Sequence, residues 1–378
     1  MDAESLEPRP GGDKPAGMLG VSVPQAGGIH GLQVAVKQYG AVNDLVPAVI
    51  VDLVNRLIAN VFAQYENEIG NDLRDIEIDS TKLVNAFANS SVFASTGASQ
   101  RGYIGYDRFA VTIGAMGGIM NPGSISLFTG ETNNIFNNVE QLNDIDIGFN
   151  PQVLNAQIGL NTSFLLNNLY LGLKLGFFSF SSSPITFTTP SIGLMANYQL
   201  ISQIRIPTGI ILWRGINLGT GLIYQYTDME IGIPLPSKTE QINILNLYST
   251  SMKIDSRLIL KFVENTFTVP LEAATSLRLL NFLNLSLGFG ADIGFGITDF
   301  KLTGEAAATF DNLPDFLTPA QAPGLTASTG ASNSPDLFNP KVMAGLGFSI
   351  GPVIIDIPVT YFFMNNGYNF GITLGFIL

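Results

Sequence analysis

Residues able to do covalent or metal chemistry are scarce in this chain of 378 residues: it has one histidine, His30, and no cysteine. Without thiols there is no disulfide framework, thiolate metal centre or cysteine nucleophile. His30 lies in the glycine-rich run Gly27-Gly28-Ile29-His30-Gly31, which reads as an incidental loop histidine. The acidic groups Asp144 and Asp146, and Asp72, Asp75 and Glu77, lack the spacing of a calcium loop and read as solvated turns. The alternating glycines near Gly288 and Gly345 lack the order and the strand-to-helix context of a phosphate loop. The expectation is a protein that is not an enzyme and needs neither metal nor cofactor. A net charge of −12 argues against nucleic acid as a partner, because phosphate recognition needs clustered lysine and arginine.

The charges that remain follow a rule. Lys174, Asp255, Arg257, Lys261, Glu272, Arg278, Asp292 and Asp356 each alternate with bulky apolar neighbours, so each falls on the slim face of a ribbon of period two. Such a row can line a water-filled interior and attract ionic head groups, while the apolar face looks elsewhere. The exceptions, Arg214, Glu264 and Asp299, read as strand ends or turns.

The elements that must carry these charges are strands. The last residues set Tyr368, Phe370, Ile372, Leu374, Phe376 and Leu378 on one face and Asn369, Gly371, Thr373 and Gly375 on the other. The pattern recurs from about residue 150 onward with no amphipathic helices there to cover it, and lipid is the expected cover. Charged residues are 13% of the chain and mean hydropathy is +0.30, yet no run reads as a spanning helix of about 20 apolar residues. Apolarity without spanning helices predicts an all-β transmembrane antiparallel β-barrel, whose alternate residues alone meet lipid. Eleven strands are legible between Arg108 and Leu378, and barrels of this kind are even-numbered, so about 12 to 14 are expected. Asn365-Asn366-Gly367, Asn167-Asn168 and Gly351-Pro352 read as tight turns, while Asp228 to Met252 and Thr303 to Pro340 read as long connections. The latter reads as a solvated surface loop. The slim face Ser286, Gly288, Gly290, Asp292, Gly294, Gly296 either eases curvature or leaves room for something packed inside.

Ahead of the strands, residues 1–28 read as disordered. Residues 29–100 read as a helical, plug-like segment, with Val46, Ile50, Leu53, Val54, Leu57, Ile58 and Val61 on one helical stripe and a weaker helical pattern from Asp72 to Asn89. Residues 101–378 are the barrel. Export requires a leader and the N-terminus has no apolar signal core, so Met1 is expected to replace a leader that was cleaved or omitted.

The terminal alternation resembles the assembly signal of bacterial outer-membrane barrels, with Leu378 last and Phe376 next in phase. The order of helical segment followed by barrel, together with Lys14-Pro15-Ala16-Gly17-Met18, is similar to the FadL-like long-chain fatty acid transporters, although Lys14 stands where many of that family carry asparagine. The resemblance implies the outer membrane of a diderm bacterium, contact with its lipid and with the barrel assembly machinery, and a lumen plugged by the N-terminal segment. The function expected is passive uptake of small hydrophobic or amphipathic solutes. A general diffusion porin, and a surface adhesin or structural barrel acting through long loops, are the alternatives.

Overall fold

The computed structural model describes residues 56, 80–95, 108–122, 147–205, 210–235, 237–244, 248–311 and 324–378. His30, the motif at Lys14, the acidic pair Asp144 and Asp146, and every residue of the apolar stripe from Val46 to Val61 lie outside them. The described residues form one helix, α1 (Ser80–Ser95), and thirteen strands in one antiparallel sheet. These are β1 (Phe109–Met120), β2 (Gly148–Asn161), β3 (Leu169–Ser182), β4 (Ile185–Ile201), β5 (Ile204–Arg205), β6 (Ile211–Pro234), β7 (Lys238–Ile244), β8 (Tyr248–Leu279), β9 (Leu283–Asp311), β10 (Gly324–Asn333), β11 (Phe338–Ile350), β12 (Val353–Phe362) and β13 (Gly367–Ile377).

The sheet closes on itself. Its order runs β9, β11, β12, β13, β1, β2, β3, β4, β6, β8, and β8 pairs back to β9. Those ten strands are the staves of the barrel, an even number as antiparallel closure requires. The other three extend single staves: β5 lies on β6, β7 on β8, and β10 on the half of β9 that β11 does not reach. Terminal strand β13 pairs with β1 from Ile377 against Ala110 to Gly367 against Met120, which seals the ring where the barrel segment begins and ends.

The rim holding the C-terminus has short connections, Leu280 to Phe282 and Gly351-Pro352 among them. At the first, Leu280 and Asn281 take φ of 52° and 63°, both in the left-handed region that a primed two-residue hairpin needs. Asn168, Asn366 and Gly351 also take positive φ, at the turns expected from sequence.

The opposite rim is uneven. β6, β8 and β9 have 24, 32 and 29 residues, whereas β11, β12 and β13 have 13, 10 and 11. One side of the wall therefore rises past the other as a collar, widened by β7 and β10. The spans read as long loops, Asp228 to Met252 and Thr303 to Pro340, are largely strand: β6 runs on to Pro234, β9 to Asp311, and β10 follows. Glu264 and Asp299, read as strand ends or turns, lie inside β8 and β9, which pass through them unbroken.

Candidate functional site: a barrel lumen filled by a helix

The wall is apolar outside and polar inside. Tyr368, Phe370, Ile372, Leu374, Phe376 and Leu378 are all exposed on the outer face, while Asn369 and Thr373 are fully buried within. The same inversion holds round the ring: Leu194, Leu222, Leu271, Phe289 and Ile357 face out, and Gln152, Asn155, Gln225, Thr268 and Thr360 face in. A soluble sandwich buries its apolar face, so this arrangement fits a hydrocarbon surround.

Where the hydrocarbon ends can be read from the wall itself. Along β8 the outward residues are Phe267, Leu271 and Leu277 in the lower half, but Lys261, Arg257 and Asp255 in the upper half. The inward residues change the opposite way, from Thr268, Thr266 and Glu264 to Phe262, Leu258, Ile254 and Met252. The strand keeps its phase while the solvents on its two sides exchange. The changeover lies at Val263 on β8, Asp228 on β6 and Asp299 on β9, which are direct register partners. Just below that line the outward Tyr224, Phe267 and Phe295 are also register partners, with ring centroids 4.9 and 5.4 Å apart. On the facing wall Tyr361 and Tyr368 pair at 5.0 Å. Such girdles mark membrane interfaces.

This line corrects three of the expected lumenal residues. Asp255, Arg257 and Lys261 stand on the outer face of the collar, their side chains 50, 62 and 41% exposed. There Arg257 bonds Glu305 at 2.5 Å and Lys261 lies 3.7 Å from Asp228. The rule that apolar faces meet lipid holds only between the girdles; above them the outside is water and the apolar residues turn inward onto α1. Lys174, Glu272, Asp292 and Asp356 are buried inside, and Arg278 is half-buried near the lower rim, where its Nε donates to Asn284 Oδ1.

The lumen has three storeys. At the top, Leu83, Val84 and Phe87 of α1 pack with Phe187, Met229, Leu258, Phe262, Phe300 and Leu302, and the Phe87 and Phe262 rings stack at 4.2 Å. In the middle, hydroxyls and amides join helix to wall: Ser91 Oγ and Thr266 Oγ1 are 2.9 Å apart, Ser95 Oγ donates to Thr268 Oγ1 at 2.8 Å, and Gln225 Nε2 donates to Ser91 Oγ at 2.9 Å. Phe93 stacks on Phe362 at 3.9 Å, and Asn369 donates to the Phe93 carbonyl. Lower down, the Lys174 ammonium donates to the Ser95 carbonyl at the helix C-terminus, where positive charge is favoured. Beside it the Lys341 ammonium, missed as a site residue from sequence, bonds Glu272 Oε1 at 2.5 Å and Asp292 Oδ1 at 2.6 Å. Lys341 on β11 and Glu272 on β8 both face Gly290 of β9 in register. Gly290 has no side chain to keep them apart.

Helix α1 fits because it is slim and its housing is hollowed. From Ala86 to Ser95 only Phe87 and Phe93 are large, and no residue is charged. A Cβ at Gly118 or Gly148 would run into the α1 backbone, one at Gly367 into the Phe93 ring, and one at Gly294 would come within 2.9 Å of Val92. Of the glycine row on β9, Gly294 makes this room. A ring of ten staves about 4.8 Å apart and tilted by about 40° has a backbone radius near ~10 Å. Side chains on both sides leave that bore filled by a helix about 10–12 Å across.

A family model matches residues 32–378, nearly the whole chain. The chain belongs to the Lsa36-like family. No curated protein matches this Lsa36-like barrel. Among solved structures it is similar to the translocator domain of autotransporter NalP from Neisseria meningitidis, at 10% identity and a TM-score of 0.26, covering 84% of this chain and 98% of that one. It is similar also to the CymD monoaromatic hydrocarbon channel, at 10% identity and TM-score 0.23 over 78% of this chain and 96% of that one. A Pseudomonas aeruginosa FadL homologue matches at 10% and 0.24 over 78% and 95%. Likeness of this degree carries no functional weight. The outer-membrane β-barrel reading rests on the closed antiparallel ring, its apolar belt and its girdles.

Proposed function

We propose that this is a gated outer-membrane conduit for small amphipathic solutes, shut in the described state by α1. The observation that carries the reading is the contrast between a lumen lined with Lys174, Glu272, Asp292, Lys341, Gln152 and Gln225 and a slim helix, without a charged residue from Leu83 to Ser95, that fills it. A barrel needing only stability would be served by an apolar interior, because buried ion pairs are often no better than well-packed apolar side chains. Since outer-membrane barrels keep short turns on the periplasmic side, the collar faces outward from the cell. A solute would meet the apolar upper storey first and the charged storey after it, an order suited to an apolar body with a polar head. The helix-filled bore speaks against a general diffusion porin.

Purified protein in planar bilayers tests the gate. The wild type should be nearly silent, and Ser91→Ala with Ser95→Ala, which removes the hydroxyl contacts of α1 to β8, should give frequent openings. A double variant as silent as the wild type would count against α1 as a gate. A second reading, a surface-binding barrel, is favoured by the collar, whose charged outer face stands clear of the girdle. Binding lost on trimming β7 and the collar tip, with conductance unaltered, would favour it.

A further inference from the structure

Glu264 stands apart from the other buried acids. Its side chain is wholly buried in the lumen, and among the described residues no lysine, arginine or histidine forms an ion pair with it. Glu272 and Asp292 share Lys341; Glu264 has only neutral company. Asn150 Nδ2 lies 3.4 Å from its Oε2, and the hydroxyls of Thr227 and Ser91 are beside it. Its other oxygen, Oε1, has no hydrogen-bond partner among the described residues, and neither do Asn150 Oδ1 and Thr298 Oγ1. All three residues are buried to 1% exposure or less. Thr298 is the cross-strand partner of Glu264 on the same inward face, which puts their Cβ atoms about 5 Å apart. The Asn150 amide is oriented by its 3.0 Å bond to Thr227 Oγ1, so its oxygen is the end left unpaired.

Three oxygens without partners, one of them a carboxylate's, thus belong to adjoining residues in a site with no balancing positive charge among the described residues. Buried charges are paired or coordinate metals, and buried polar atoms are bonded. A proton on Glu264 would supply a single donor for this group of oxygens, whereas a cation can be coordinated by all of them together. One carboxylate with neutral amide and hydroxyl oxygens matches a single positive charge. Calcium takes six to eight oxygens and is normally held by several carboxylates.

We propose that Glu264, Asn150 and Thr298 form a sodium site between α1 and the barrel wall, at the level where the outer face passes from lipid to water. Because Ser91 of α1 adjoins the same carboxylate, occupancy stabilises the seated helix. The inference does not depend on what the lumen conducts.

Thermal unfolding of the full chain in detergent tests it, comparing sodium chloride with N-methylglucamine chloride at equal ionic strength and fixed pH. Sodium should raise Tm in a saturable way that the organic cation does not reproduce. Glu264→Gln, an uncharged isostere, should lose that response, and Thr298→Val should shift it to higher sodium. Asn150→Asp, with a second carboxylate, should become responsive to calcium. Equal Tm values for the wild type in the two salts overturn the proposal, and so does a sodium response that survives in Glu264→Gln. Should that variant fail to fold, titration calorimetry of sodium into the wild type decides, and an absence of saturable heat is the overturning result.

Discussion

Lys341 shows how much one buried side chain organises. It is 2% exposed and holds two carboxylates, each within 2.6 Å, from two different staves. Removing one partner of a buried pair costs about 3–5 kcal/mol, because the charges left behind keep their desolvation penalty. Lys341→Met is therefore expected to destabilise the barrel by about that amount in urea unfolding from detergent or lipid. Adding Asp292→Asn to the same chain should restore much of the loss, since the buried Lys174 and Glu272 charges then balance each other. A loss that the added change does not repair would mean that Lys341 acts through packing. Its facing was legible in the alternation Lys341, Met343, Gly345, Gly347, but its partners were not, since they come from strands far away in sequence. Glu264 was hidden differently: the polar run Glu264-Asn265-Thr266 resembles a turn, and only the continuous pairing of β8 with β6 and β9 places it mid-strand.

At the scale of elements, β8 carries the main lesson. Its phase never changes, yet its apolar face moves from the outside to the inside on crossing the line through Asp228, Val263 and Asp299. Alternation alone reports which residues share a face; which solvent that face meets depends on height in the membrane. The collar above that line should behave as a soluble sheet. Within it, where β6 gives way to β7 along β8, Asp255 accepts from Ser237 Oγ at 2.5 Å and from Lys253 Nζ at 3.1 Å, and these bonds, the Ser237 one foremost, hold its carboxyl below the ordinary value of 3.8. A depressed carboxylate contributes stability that is present above its unfolded pKa and lost as pH falls through the folded one. Hydrogen-exchange protection of the β7–β8 hairpin, relative to the intrinsic rate at each pH, should thus be insensitive to this group between pH 7 and about 5 and fall below about 3.8, with Asp255→Asn removing the step. A hairpin that loosens already at pH 6 would point to another group.

For the molecule as a whole, closure is the decisive event, and the last strand performs it. Leu374 faces out and is 51% exposed, while its neighbour Thr373 is 1% exposed in the lumen. An arginine among lipid tails at mid-depth costs about 2–4 kcal/mol, so Leu374→Arg should reduce the heat-modifiable folded fraction on gels well below that of Thr373→Arg. Equal losses would contradict the assigned facing. By itself the sequence determined the strand period, the apolar belt and the tight turns at Asn168, Asn366 and Gly351, because these depend on neighbours one or two positions apart. It foresaw helical character before the strands, though not that Ser80–Ser95 would be the segment seated in the lumen. Tertiary structure alone decided that ten staves close the ring, that Gly118, Gly148, Gly294 and Gly367 make room for α1, and that the outward face of β8 leaves lipid at Val263. Those outcomes depend on register between distant strands and on position relative to the bilayer, and neither quantity is written in any local stretch of the chain.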